Sequence, residues 1–143
     1  LVKRRKGPAM QIRPYLFFEG RTEEALGFYR KALGAEVTAM MRFRESPEPQ
    51  HNPPGSAEKV MHASFTVAGN TIMASDGRSS GAARFDGFAL SLMPRDRATA
   101  DRIFGALAEG GEVVMSLEKT FWSPAFGVMK DRFGVTWMVT LEE

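Results

Sequence analysis

The chain says one thing twice. Residues 24–37, EALGFYRKALGAEV, are echoed by residues 99–113, TADRIFGALAEGGEV. Each copy carries an aromatic residue, then Leu33 or Leu107, then glycine, then Glu-Val. Each follows an apolar run, PYLFF at 14–18 and FALSLM at 88–93, and each precedes a set of short alternating segments. A half-length pattern that recurs within 143 residues predicts two copies of one module folded against each other. Function in such an arrangement is expected between the copies.

Composition narrows the function classes. The length suits a single domain with a real core, and 43% apolar with 25% charged residues is ordinary for a globular protein. No apolar run approaches the roughly 20 residues that span a bilayer, and no series of signal-peptide regions is present, so neither a membrane nor a secretory route is expected. With no cysteine there is no disulfide, thiolate nucleophile or thiolate metal ligand, and the cytoplasm is the expected compartment. The pI of about 9.2 comes from Lys3, Arg4, Arg5 and Lys6. Without them 15 basic residues face 17 acidic ones, which removes the electrostatic case for nucleic acid. Residues 1–9 read as a basic leader, disordered or vector-derived, with Met10 as the natural start. The domain proper is expected at 10–143, with modules at 11–76 and 86–143.

Periodicity supplies the elements. Residues 12–18 read as a strand. Thr22 is placed to cap a helix with Glu23 and Glu24 in its first turn, Leu26, Tyr29 and Leu33 inward, and Gly34 as its end. Strands follow at 37–44, 60–67 and 71–75, the last two joined at Gly69-Asn70. The proline-rich stretch 45–58 is a loop, either a cover for a cavity or plain surface. After a Gly-rich linker at 76–87 the order repeats, with strands at 88–93, 112–117, 126–130 and 135–141 and a helix at about 96–109. The fold class is therefore α+β: two βαβββ modules forming a cup-shaped, eight-stranded mixed sheet with helices outside. Alternation puts Ala63, Phe65, Val67, Trp137 and Val139 on covered faces. It puts His62, Ser64, Met73, Ser75, Ser91, Met93 and Met138 on mixed faces that meet a cavity, a partner or solvent.

Three segments carry a resemblance: PYLFFEGRTEEALGFY (14–29), KVMHASFTVAGNTIMASD (59–76) and KTFWSPAFGVMKDRFGVTWMV (119–139). Together they resemble the vicinal-oxygen-chelate superfamily, the glyoxalase, bleomycin-resistance and extradiol-dioxygenase group. The closer likeness is to its PhnB-like branch, labelled 3-demethylubiquinone 3-methyltransferase-like. In metal-using members the ligands come from the first and fourth strands of each module. By position those sites are Pro14, Met73, Ala89 and Met138. Proline and alanine offer no donor and thioethers are soft, so no metal and no other cofactor is expected. A one-residue register slip brings no ligand set either. A SAM-dependent methyltransferase of the common type needs a Gly-rich strand-to-helix turn in a parallel sheet, and the sequence has none. Superfamily members usually form dimers, so the resemblance implies a homodimer.

Candidate chemistry stays open at this level. His62 is a candidate general base, or a packing histidine. Asp76 is its candidate partner in acid–base chemistry, or a turn-forming residue. Ser75 and Ser91 occupy equivalent places in the modules as hydrogen-bond donors. Phe121-Trp122 on a loop either lines a pocket or buries in an interface. Met73 and Met138 suit a pliable apolar pocket, or simple gap-filling. The expectation is a metal-independent binder of a small apolar or aromatic ligand held by His62, Trp122, the two serines and the two methionines. The alternatives are a lyase, isomerase or oxygenase using His62 and Asp76, and a structural or regulatory dimer with a vestigial cavity.

Overall fold

The structure, a computed structural model, describes residues 9–79 and 81–142, so the basic run at 3–6 lies outside the described residues. The first module contains β1 (Tyr15–Phe17), α1 (Thr22–Leu33), β2 (Glu36–Arg42), β3 (Val60–Val67) and β4 (Asn70–Ser75). The second contains β5 (Leu90–Leu92), α2 (Arg97–Ala108), β6 (Glu112–Glu118), β7 (Ala125–Lys130) and β8 (Thr136–Leu141). Both have the βαβββ order that the repeat predicts. Each module builds its own four-stranded mixed sheet, β1-β4-β3-β2 and β5-β8-β7-β6, with β1 parallel to β4 and β5 parallel to β8. Identical strand order in the two sheets is the three-dimensional form of the sequence repeat. No helix among the described residues is long and apolar enough to cross a membrane.

Local chemistry sets the element ends. α1 buries Ala25, Leu26, Tyr29 and Ala32 on one stripe and stops at Gly34, whose φ of 68° is left-handed and whose N–H donates to the Arg30 carbonyl. Thr22 is not its cap. Arg21 holds that position without a side-chain bond, Thr22 is already helical, and the Thr22 N–H donates to Asp76 Oδ1 at 2.8 Å. α2 is capped locally, by the Asp96 carboxylate accepting from Thr99 N–H at 2.7 Å. The β3–β4 reversal falls one residue earlier than expected, at Ala68-Gly69, both with positive φ, and Asn70 opens β4. The 45–58 loop folds back on itself. It contains a 3-10 turn at Pro49–His51, Asn52 Nδ2 donates to the Phe43 carbonyl at 2.8 Å, and Ser56 is buried.

The modules join through α1 against α2 and through one carboxylate. Asp131, buried in the turn after β7, accepts from Phe133 N–H and Val135 N–H on Oδ1, and from Trp137 Nε1–H (2.9 Å) and Tyr29 O–H (2.5 Å) on Oδ2. Tyr29 belongs to the first module and the other donors to the second. Around this centre Phe18, Phe28, Tyr29 and Phe133 pack in tilted and edge-to-face pairs at 5.7–6.2 Å. The run from Gly127 to Trp137, within the third segment that carries the resemblance, is explained by this centre. Gly127 is required because a Cβ there would come within 2.6 Å of the Phe104 ring of α2. Asp131, Phe133, Val135 and Trp137 are the acceptor, a cluster ring and two of the donors, and Gly134 turns the chain at φ 91°.

Burial first, and then the charge of Asp131, push the Tyr29 phenol well above its ordinary pKa of 10.0. A phenol raised in the fold contributes stability that is complete below the unfolded value and lost as pH rises past it. Urea unfolding is therefore expected to show stability falling above pH about 10, with Tyr29→Phe flattening that fall. At neutral pH, Tyr29→Phe is expected to cost about 1.5–3 kcal/mol, the range for a hydrogen bond to a charged group. A cost below about 0.5 kcal/mol would mean that the bond does not hold the modules together.

Candidate functional site

The free face of the first sheet follows from the alternation of β3. Ala63, Phe65 and Val67 turn toward α1 and are buried, so His62, Ser64 and Thr66 look the other way, half-buried. Register places Tyr15 opposite Met73, Met73 opposite Ser64 and Ser64 opposite Ala39. Beside that row, Phe17 stands opposite Ser75 and Met41 opposite His62. The Tyr15 hydroxyl reaches over this face to His62 Nδ1 at 2.9 Å, with ring centroids 5.6 Å apart. His62 Nε2 lies 3.4 Å from Ser64 Oγ. Ser75 Oγ accepts from Gly77 N–H at 2.9 Å. Desolvation raises the Tyr15 phenol above its ordinary value, an effect that a hydrogen bond with Ser75 reduces. Tyr15 is therefore neutral at physiological pH, with a hydroxyl that can donate or accept.

Asp76 does not join this group. It is buried, with Oδ1 on Thr22 N–H and Oδ2 on Val60 N–H, both at 2.8 Å. Its two oxygens thus staple the start of α1 to the start of β3. The expected His62–Asp76 pair is not formed, because backbone donors from two other elements take the carboxylate first. In its place stand Ser64, which alternation puts on the mixed face without assigning it a role, and Tyr15, which the expected site does not include. The available signal was the alternation of 14–18: with Leu16 buried, Tyr15 and Phe17 must share the opposite face.

On the second sheet, Ser91 is exposed and stands opposite Met138, which faces Val128, which faces Met115. The four positions that resemblance assigned to a metal do not stand in register with one another. The Pro14 carbonyl accepts from Met73 N–H, and this bond sets Tyr15, not Pro14, across from Met73. Ser91, not Ala89, is across from Met138. A phenol, a hydroxyl and two thioethers do not fit a hard divalent cation. Among the described residues no group of three or more His, Asp or Glu comes together.

Trp122 is half-exposed on the 119–124 loop and Phe121 is 97% exposed. They meet edge-to-face at 4.7 Å, and Trp122 leans on Phe126 at 5.2 Å. The loop is fixed beneath them by Ser123, whose hydroxyl donates to the Leu141 carbonyl at 2.6 Å. Two clefts lie elsewhere. One of about 760 Å³ is lined by Met10, Arg13, Asn70, Ser91, Met93 and Trp137. One of about 480 Å³ runs between the helices past Phe28, Lys31, Glu109 and Arg132. His62 lines neither, because it stands on an open sheet face that one chain does not roof.

The profile of the family described as 3-demethylubiquinone-9 3-methyltransferase matches residues 10–140. The chain belongs to this family. It is 35% identical to Protein YjdN of Escherichia coli (strain K12) over 140 residues, covering 92% of this chain and 95% of that one. Among solved structures it matches protein PA1353 from Pseudomonas aeruginosa with a TM-score of 0.82 and 41% identity, over 94% of this chain and 98% of that one. It matches the Bacillus cereus PhnB protein, titled a putative 3-demethylubiquinone-9 3-methyltransferase, with a TM-score of 0.78 and 30% identity, over 92% and 99% of the two chains. These likenesses make the chain a PhnB-like member of that family, and its paired βαβββ modules share the fold of a glyoxalase-related enzyme from Fulvimarina pelagi, at a TM-score of 0.58 and 16% identity over 92% and 88% of the two chains.

If Asp76 is the staple described, Asp76→Ala leaves two buried N–H groups without acceptors. It is expected to lower unfolding free energy by about 2–4 kcal/mol, read by urea denaturation, with Asp76→Asn costing less. Loss of stability no larger than for an exposed substitution would contradict the staple.

Proposed function

We propose that this chain binds a small apolar or aromatic molecule, without a metal, on the face centred on His62. The observation that carries this reading is a hydrogen-bonded group, Tyr15, His62 and Ser64, set among Phe17, Met41 and Met73. A few convergent polar atoms on an apolar bed are what a small-molecule site needs to fix orientation. Met73 and Ser75 belong to the same face. Ser91, Met138 and Trp122, on the second sheet and its loop, are proposed as the opposing wall.

That wall is proposed to come from a second copy of the chain. β6 exposes Val113, Val114 and Met115, β2 exposes Met40 and Met41, and Phe121 has almost no cover. Exposed apolar side chains in this number favour association, and a homodimer that brings them over the His62 face makes a closed cup. Cytoplasmic residence is part of the proposal; a nucleic-acid or membrane partner is not. Nor is methyl transfer, despite the family's description, since the β1–α1 connection at 18–21 has one glycine and both sheets are mixed.

The Tyr15–His62 bond favours a second reading, in which His62 works as an acid–base group in an enzyme of this superfamily. Tyr15 then stands where Asp76 was expected.

The test is thermal shift and calorimetric titration with a panel of small aromatic compounds and with Ni²⁺, Mn²⁺ and Zn²⁺. At least one aromatic compound is expected to raise Tm, with no effect of EDTA. His62→Ala and Trp122→Ala are each expected to weaken its binding about tenfold, near 1.4 kcal/mol. A metal-dependent rise in Tm that EDTA abolishes contradicts metal independence. Sedimentation is expected to give a dimer that Met115→Glu dissociates. A dimer that binds nothing on the panel replaces this reading with that of a structural or regulatory assembly.

A further inference from the structure

The hydrogen-bonded group on the first sheet has a direction, and the direction selects a ligand chemistry. Ser75 Oγ already accepts from Gly77 N–H, so its own proton is free to be given, to the Val60 carbonyl at 3.5 Å or to the Tyr15 oxygen. The neutral Tyr15 hydroxyl has one proton, and the strongest acceptor within reach is His62 Nδ1 at 2.9 Å. A neutral imidazole that accepts at Nδ1 carries its proton on Nε2. That N–H faces Ser64 Oγ at 3.4 Å, a long bond that is easily re-aimed. With Nε2 protonated, the Ser64 hydroxyl proton has no acceptor among the described residues.

We propose that Tyr15 holds His62 as the Nε2–H tautomer. The group then ends in two donors, His62 Nε2–H and Ser64 Oγ–H, that receive an uncharged acceptor oxygen, a carbonyl or its equivalent, on an apolar frame. The oxygen is uncharged because the residues flanking these donors in their two cross-strand rows are Phe17, Ala39, Met41, Met73, Tyr15 and Ser75, which offer no cation. Tyr15 is in this account a positioning residue for His62. The ligand half rests on the small-molecule reading above. The tautomer half does not.

Long-range ¹H–¹⁵N spectra of the full chain labelled at histidine test the tautomer, with His62→Ala separating His62 from His51. His62 is expected with Nε2 protonated and Nδ1 bare, and Tyr15→Phe is expected to bring in the other tautomer. An Nδ1–H tautomer in the parent protein, or an unchanged tautomer in Tyr15→Phe, overturns the assignment. For the ligand, acetophenone is expected to bind about fivefold tighter than ethylbenzene, the equivalent of one hydrogen bond of about 1 kcal/mol. Ser64→Ala is expected to reduce that preference. Equal binding of the two probes by the parent protein overturns the donor pair. If neither probe binds while the tautomer is as expected, the small-molecule reading and the ligand class fail together, and the positioning role of Tyr15 is supported.

Discussion

One buried carboxylate, Asp131, is the point on which the arrangement of this molecule depends. A carboxylate removed from water loses several kcal/mol of hydration unless donors replace it. Here four do, from a helix of the first module, a strand of the second and the turn between two strands. The donors cannot all be satisfied unless Tyr29 of α1 docks onto the Asp131 turn. The carboxylate therefore fixes how the two copies of the repeat meet, helix side to helix side. The sheets are left with their other faces uncovered, and it is on one of these that Tyr15, His62 and Ser64 converge.

The sequence makes the modules legible because the repeat is written in local terms. Helical spacing, strand alternation and glycine stops each depend on near neighbours. The faces of β3 and β8 are equally legible: Ala63, Phe65, Trp137 and Val139 are buried and His62, Ser64 and Met138 are not. The features that escape are long-range. Asp76 reads as a turn residue or a catalytic partner because nothing in the sequence shows that Thr22, 54 positions earlier, lacks its own cap. Register in the three-residue β1 is likewise set by one backbone bond to β4, and an error of one residue exchanges Pro14 for Tyr15. The run 127–137 proves to be about packing and says little about chemistry.

This separation has a consequence for function. Belonging to the 3-demethylubiquinone-9 3-methyltransferase family follows from residues 10–140, and the 127–137 run within them builds the inter-module lock. Chemistry must be argued from the free faces. There the cross-strand pairs Tyr15–Met73 and Ser91–Met138 offer a phenol, a hydroxyl and two thioethers. The methionines give a soft, adaptable bed, and the neutral polar group gives it orientation.

The central claim is therefore one of place: ligand binds on the first-sheet face and not in the larger cleft beside the 10–14 arm. Methyl ¹³C-methionine spectra of the intact protein, recorded during titration with a binding aromatic compound, test it most directly. The account predicts shifts at Met41 and Met73, with Met129, buried in the core, unmoved. Shifts confined to Met10 and Met93, which line the cleft, would contradict it.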